Sequence, residues 1–236
     1  MKIKDPLIVA LDTPNMEVVK KLLNELRGLV NYYKVGFELF TAHGWESIEL
    51  IRKENAKVFL DLKFHDIPNT VAKSAAVAVE HEVDMFNVHT LGGLEMMKAT
   101  RKMVDERAKK EKAKPIILGV TILTSHNEET LSEELGIKRG MDEQVLHLAK
   151  LAQKAGLDGV VCSPREIKMI RSALPKDFVI VTPGIRPKGS SQDDQKRIFT
   201  PQDAFQAGSN YLVVGRPITA AANPREEASQ ILKAFQ

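Results

Sequence analysis

Lys57-Val58-Phe59-Leu60-Asp61-Leu62-Lys63-Phe64-His65-Asp66-Ile67-Pro68-Asn69-Thr70 starts as a buried-strand pattern, gathers charge, then turns at Pro68 and Asn69 into a helical stretch. Strand side chains alternate between faces, so Asp61 and Lys63 share one face with Phe59, while Val58, Leu60 and Leu62 occupy the other. An acid and a base therefore lie together at the end of an apolar run. Burying such charges is costly unless they are paired or used. This places candidate chemistry at the C-terminal end of a strand, with Asp66 opening the loop that follows.

Outward from this stretch, short aliphatic runs alternate with amphipathic ones along the whole chain. Strands are expected at Leu7–Asp12, Tyr32–Phe37, Lys57–Lys63, Met85–Leu91, Pro115–Leu123, Gly159–Ser163, Phe178–Pro183 and Tyr211–Gly215. Helices are expected at Met16–Leu26, Thr70–Glu82, Leu94–Lys112, Asp142–Ala155 and Arg225–Phe235. Eight strand-helix repeats favour a closed (β/α)8 TIM barrel of the α/β class over an open doubly wound sheet of similar content. The chain of 236 residues, 43% hydrophobic and 28% charged, suits one barrel domain over 1–236.

Parity along the strands sorts further residues. Val9 and Leu11 oppose Ile8, Ala10 and Asp12; Tyr33, Val35 and Phe37 oppose Lys34 and Gly36. The apolar sets pack under helices, which leaves Asp12 and Lys34 pointing inward with Asp61 and Lys63. A structural ion-pair network at a barrel mouth would use the same residues. Asn87 and His89 share a face of the fourth strand, where a satisfied core histidine is the plainer reading, and neither receives a role.

Late in the chain, Val181-Thr182-Pro183-Gly184-Ile185-Arg186 and Leu212-Val213-Val214-Gly215-Arg216-Pro217 end the seventh and eighth strands, where barrels often bind phosphate. Gly215 allows a backbone amide to approach an oxyanion, and Arg186 and Arg216 offer fork-shaped, charge-assisted hydrogen bonds. Between these ends lies a long polar loop, Arg186–Arg197, in which Gln195 can donate from its amide. No GKS/GKT phosphate loop or GxGxxG occurs, so no nucleoside triphosphate or dinucleotide cofactor is indicated.

The formal charge of +3 and the basic run Arg107–Lys114, interrupted by Glu111 and free of aromatics, fit a solvated helix face rather than a nucleic-acid surface. Cys162 is the only cysteine, which excludes an intrachain disulfide and any multi-cysteine metal site; its setting suggests a buried strand thiol. The apolar start Leu7–Leu11 is too short for a signal core or a membrane span, and a cytoplasmic protein is expected.

Taken together, Asp12, Lys34, DLKFHDIPNT at 61–70, TPGIR at 182–186 and VVGRP at 213–217 resemble the orotidine 5'-phosphate decarboxylase family over nearly the whole chain. The Ile and Thr continuation in D-x-K-x-x-D-I-x-x-T separates this pattern from barrels that share only D-x-K-x-x-D. The resemblance implies decarboxylation of orotidine 5'-monophosphate to UMP, with no metal or organic cofactor, by a homodimer that shares its Asp66 loop between subunits. It implies that Lys63 donates the proton to pyrimidine C6, with Asp61 beside the departing carboxylate. Lys34 and the partner-borne Asp66 loop complete the charge network and hold the ribose, with Asp12 also on the ribose and Ile67 and Thr70 lining the site. Thr124 contacts the pyrimidine; Arg186, Gln195, Gly215 and Arg216 form the phosphate side, and Pro183 stands among the substrate-binding positions.

Three other readings are open. A related D-x-K-x-x-D barrel would use magnesium on a sugar phosphate. A Schiff-base enzyme would use Lys63 as an amine nucleophile, although the carboxylates beside it favour the ammonium. A non-catalytic barrel would bind a phosphorylated nucleotide as a sensor.

Overall fold

A computed structural model of the chain describes residues 5–111, 114–185 and 199–235. Eight parallel strands close into a barrel in sequence order: β1 (Leu7–Ala10), β2 (Tyr32–Gly36), β3 (Lys57–Phe64), β4 (Met85–His89), β5 (Ile116–Val120), β6 (Gly159–Val161), β7 (Val179–Thr182) and β8 (Tyr211–Val214). Between and after them lie α1 (Met16–Leu26), α2 (Phe37–His43), α3 (Glu46–Lys53), α4 (Pro68–Glu80), α5 (Gly93–Glu111), α6 (Met141–Lys154), α7 (Ile167–Ala173), α8 (Pro201–Ala207), α9 (Arg216–Thr219) and α10 (Pro224–Lys233). The TIM barrel expected from the alternation is therefore the fold observed.

Several expected strands are shorter than the apolar runs that announce them. The β1 ladder ends at Ala10, so Asp12 stands beyond it; β2 ends at Gly36, and Phe37 opens a helix instead of finishing a strand. At the C-terminal ends the chain leaves the ladder to build loops, and side-chain hydrophobicity carries no record of where pairing stops. Cys162 is buried as expected but follows the end of β6. The short helices α2, α3, α7, α8 and α9 were not anticipated, since four to eight residues give too few turns for a periodic signal. By contrast α1 matches its expected range. The Asn15 side chain accepts from the Glu17 and Val18 amides at its N-terminus, and Val19, Leu22, Leu23 and Leu26 form its buried stripe.

Strand alternation divides the core in two. Ile8, Ala10, Tyr32, Phe59, Met85, Leu118, Val181 and Val213 fill the barrel interior, whereas Val9, Leu11, Tyr33, Val35, Val58 and Leu60 pack outward in the larger layer beneath the helices. The interior is thus an apolar floor beneath whatever projects at the C-terminal end.

A repeated device fastens the N-terminal end. The residue immediately before β4, β6 and β8 is Asp84, Asp158 or Asn210, and each accepts from the second backbone amide of the preceding strand: Val58 at 2.8 Å, Ile117 at 2.8 Å and Ile180 at 2.7 Å. Asn210 Oδ1 also accepts from the Arg171 guanidinium at 2.8 Å. Replacing Asn210 by Ala leaves a buried amide unpaired, which costs about 1–3 kcal/mol. Urea unfolding of Asn210→Ala should show a lowered midpoint with little change in slope.

Candidate active site

Asp12, Lys34, Asp61 and Lys63 meet at the C-terminal mouth, as their strand parity requires. The Lys34 ammonium lies 2.9 Å from Asp12 Oδ1 and 3.3 Å from Asp61 Oδ2, and Lys63 Nζ donates to Asp61 Oδ1 at 2.8 Å. Burial grades across the row: the side chains of Lys34 and Asp61 are 10% and 14% exposed, Lys63 28%, and Asp12 57%. Burial alone would weaken the Lys34 ammonium, but Asp61 and Asp12 outweigh it, and its pKa ends above the ordinary lysine value.

Gly36 makes this contact fit. It is in register with Asp61 on β3, and a Cβ there would stand 2.8 Å from Lys34 Nζ and 3.4 Å from Asp12 Oδ1. Gly215, after β8 and beside β1, is less confined: a Cβ there would lie 3.7 Å from Asp12 Oδ2, an ordinary contact distance. At Gly36 the missing side chain leaves room for the Lys34 ammonium.

The β3 segment is irregular where the charges emerge. Leu60 pairs with Phe86, and the next pair joins Phe64 to Val88, so β3 carries two more residues than β4 across this interval. Lys63 takes φ 45°, in the left-handed region, which costs a non-glycine residue about 1–3 kcal/mol. Because the excess is even, alternation survives it: Leu62 and Phe64 still pack with the outer layer, and Asp61 and Lys63 still reach each other. Asn87, which received no role from the sequence, stands opposite this irregularity. Its Oδ1 accepts the Lys63 backbone amide at 2.7 Å and its Nδ2 donates to Asp61 Oδ1 at 2.7 Å.

His89 departs from the expectation of a satisfied core histidine. Among the described residues its buried Nδ1 has no hydrogen-bond partner, and its ring stacks on His65 with centroids 5.4 Å apart. Burial, aided by His65, Lys63 and His126, lowers its pKa to about 4, so it is neutral at neutral pH. Packing, rather than a polar contact, decides its place, and residue identity alone does not reveal that.

The remaining candidates surround this row without joining it. Asp66 is exposed and its carboxylate turns back to accept the Ile67 amide at 2.6 Å. Among the described residues it forms no ion pair with Lys34 or Lys63. Ile67 is 67% exposed and Thr70 is exposed at the start of α4. Phe37 is 59% exposed, with Lys63 Nζ 5.7 Å from its ring centre. Thr124 is exposed in the loop after β5, Pro183 follows β7, and Gly215 and Arg216 begin α9, with Arg216 exposed. Arg186, Gln195 and the expected loop at 186–197 lie outside the described residues.

Among the described residues no helix is long and apolar enough to cross a membrane. The family model described as "Orotidine 5'-phosphate decarboxylase / HUMPS family" matches residues 5–231. The chain is 49% identical over 232 residues to the orotidine 5'-phosphate decarboxylase of Moorella thermoacetica, covering 98% of this chain and 92% of that protein. It is 51% identical over 228 residues to the protein of the same name from Syntrophotalea carbinolica, covering 96% and 93%. A crystal structure of orotidine 5'-phosphate decarboxylase from Lactobacillus acidophilus superposes with a TM-score of 0.88 at 40% identity, covering 99% of this chain and all of that one. With a family match across nearly its full length and relatives this similar, the chain belongs to the orotidine 5'-phosphate decarboxylase / HUMPS family.

Proposed function

We propose that the barrel mouth decarboxylates orotidine 5'-monophosphate to UMP and carbon dioxide, the last step of UMP biosynthesis, without metal or organic cofactor. The observation that carries this reading is the row Asp12–Lys34–Asp61–Lys63, held in contact on an apolar floor in a chain of this family. When the bond between C6 and the carboxylate breaks, its electron pair stays in an sp² orbital at C6 that the pyrimidine π-system cannot delocalise. The protein has to meet that localised charge with a fixed one. Lys63 supplies an ammonium there and then transfers a proton from Nζ to C6.

Asp61 stands beside the departing carboxylate. Two unit charges ~4 Å apart at an effective dielectric of ~20 interact by about 4 kcal/mol. That is roughly a thousandfold in rate, short of most enzymatic accelerations, so stabilisation of the C6 carbanion and phosphate binding energy take the larger share. Lys34 holds Asp61 and Asp12 in place, with Asp12 and Lys34 on the ribose. Thr124 contacts the pyrimidine. Gly215 and Arg216, together with Arg186 and Gln195 from outside the described residues, form the substrate's phosphate side, and Pro183 is a further substrate-binding position.

In this reading two chains share each site, with Asp66, Ile67 and Thr70 reaching the partner's substrate. A carboxylate that forms no ion pair with its own chain's Lys34 or Lys63 among the described residues, next to a largely exposed isoleucine, supports that arrangement.

Loss of orotidine 5'-monophosphate absorbance, with carbon dioxide followed in parallel, should proceed undiminished in EDTA. Dependence on added magnesium would favour the magnesium-using D-x-K-x-x-D barrels. Lys63→Ala should abolish turnover while the fold persists, and normal turnover in that variant would remove Lys63 from its role. Mixing inactive Lys63→Ala and Asp66→Ala chains should restore part of the activity; no recovery despite demonstrated subunit exchange would argue against a shared site.

A further inference from the structure

We infer that Asn87 is a positioning residue for the reaction, one side chain that sets both the backbone of Lys63 and the carboxylate of Asp61. The inference rests on the decarboxylase reading above. Asn87 is 1% exposed, lies on β4 and points to the interior face that carries Met85 and His89. It faces the stretch where β3 has two residues too many for the β4 ladder. Regular pairing is therefore unavailable to the Lys63 amide, and Asn87 Oδ1 accepts it at 2.7 Å in place of a strand carbonyl. The bond falls at the residue with φ 45°, which is where the backbone most needs holding.

The other end of the same amide acts on Asp61. Nδ2 donates to Asp61 Oδ1 at 2.7 Å, the oxygen that also accepts from Lys63 Nζ at 2.8 Å, while Oδ2 faces Lys34 Nζ at 3.3 Å. A carboxylate between two ammonium groups can rotate to favour either one. A third, neutral donor fixed to the barrel wall selects the plane in which one oxygen serves each lysine. The orientation of the Asn87 amide admits no alternative, because a backbone N–H can only donate and a carboxylate only accepts. Lys63 is thus held at both ends, its backbone by Asn87 directly and its ammonium through Asp61. Asn87 does not touch the reacting atoms in this scheme. It sets the angle between the proton donor and the carboxylate beside it.

Two substitutions separate the halves of the clamp. Asn87→Asp keeps an oxygen for the Lys63 amide and replaces the donor to Asp61 with a repelling oxygen; Asn87→Ala removes both contacts. For each folded variant, kcat on orotidine 5'-monophosphate should fall by ~100-fold or more, the scale of a small misplacement of reacting groups, while KM changes by less than about threefold. Hydrogen exchange of the Lys63 amide should stay slow in Asn87→Asp and become fast in Asn87→Ala. A kcat within about twofold of the unsubstituted chain in either folded variant, or equal losses in kcat and substrate affinity, would overturn the inference. Failure of both variants to fold would also overturn it, by making Asn87 a requirement of the barrel rather than of the site. No turnover by the unsubstituted chain would instead sink the decarboxylase reading. Amide exchange would then judge the clamp, with equal rates in all three chains counting against it.

Discussion

Asp61 lies between two ammonium groups, and much of the mouth follows from keeping that carboxylate compensated where water hardly reaches it. A charge on an apolar floor is tolerated only if its partners arrive from fixed directions. Lys34 comes from β2 through the gap at Gly36, Lys63 from two residues along β3, and Asn87 from β4. Each strand delivers one group, and the barrel sets the spacing among them. Asp12, the most exposed of the four charged groups, leaves Lys34 engaged on both sides and opens the row towards solvent.

This arrangement makes the ion pairs poor candidates for stabilising the fold. Removing water from Lys34 and Asp61, the two most buried of the four, costs several kcal/mol for each, and contacts among them do little more than recover it. What the row secures is a set of charges that need not reorganise when a reaction creates a new one. Stability comes from elsewhere: the two apolar layers inside and outside the barrel wall, and the side chains before β4, β6 and β8 that close the opposite end. The two ends of the barrel thus divide the work, with polar groups that fasten the backbone at the bottom and polar groups held ready at the top.

How much of this was readable from the residues depended on the kind of constraint. Alternation along a strand is a property of the backbone, so the inward placement of Asp12, Lys34, Asp61 and Lys63 could be read without knowing any contact. The limits of the strands could not, because Asp12 and Phe37 continue an alternating pattern after the ladder has ended. Asn87 showed the correct parity and nothing more; its purpose appears only with the offset between β3 and β4, which depends on two strands at once. Gly36 was hidden for a similar reason, since the atom it makes room for belongs to a side chain of its own strand reaching towards the next. His89 was not legible because its surroundings, not its identity, leave Nδ1 without a partner among the described residues.

The two-residue excess in β3 also restricts how this stretch can change in length. Gain of one residue directly after Leu60 would turn Leu62 into the mouth and drive the charged side chains under the helices, whereas a gain of two preserves every facing. Inheritance of this segment is therefore quantised. Descendants of such a gene can deepen the bulge while keeping its charged row only in steps of two codons, and a lineage that gained a single codon here would have to rebuild that row from different residues.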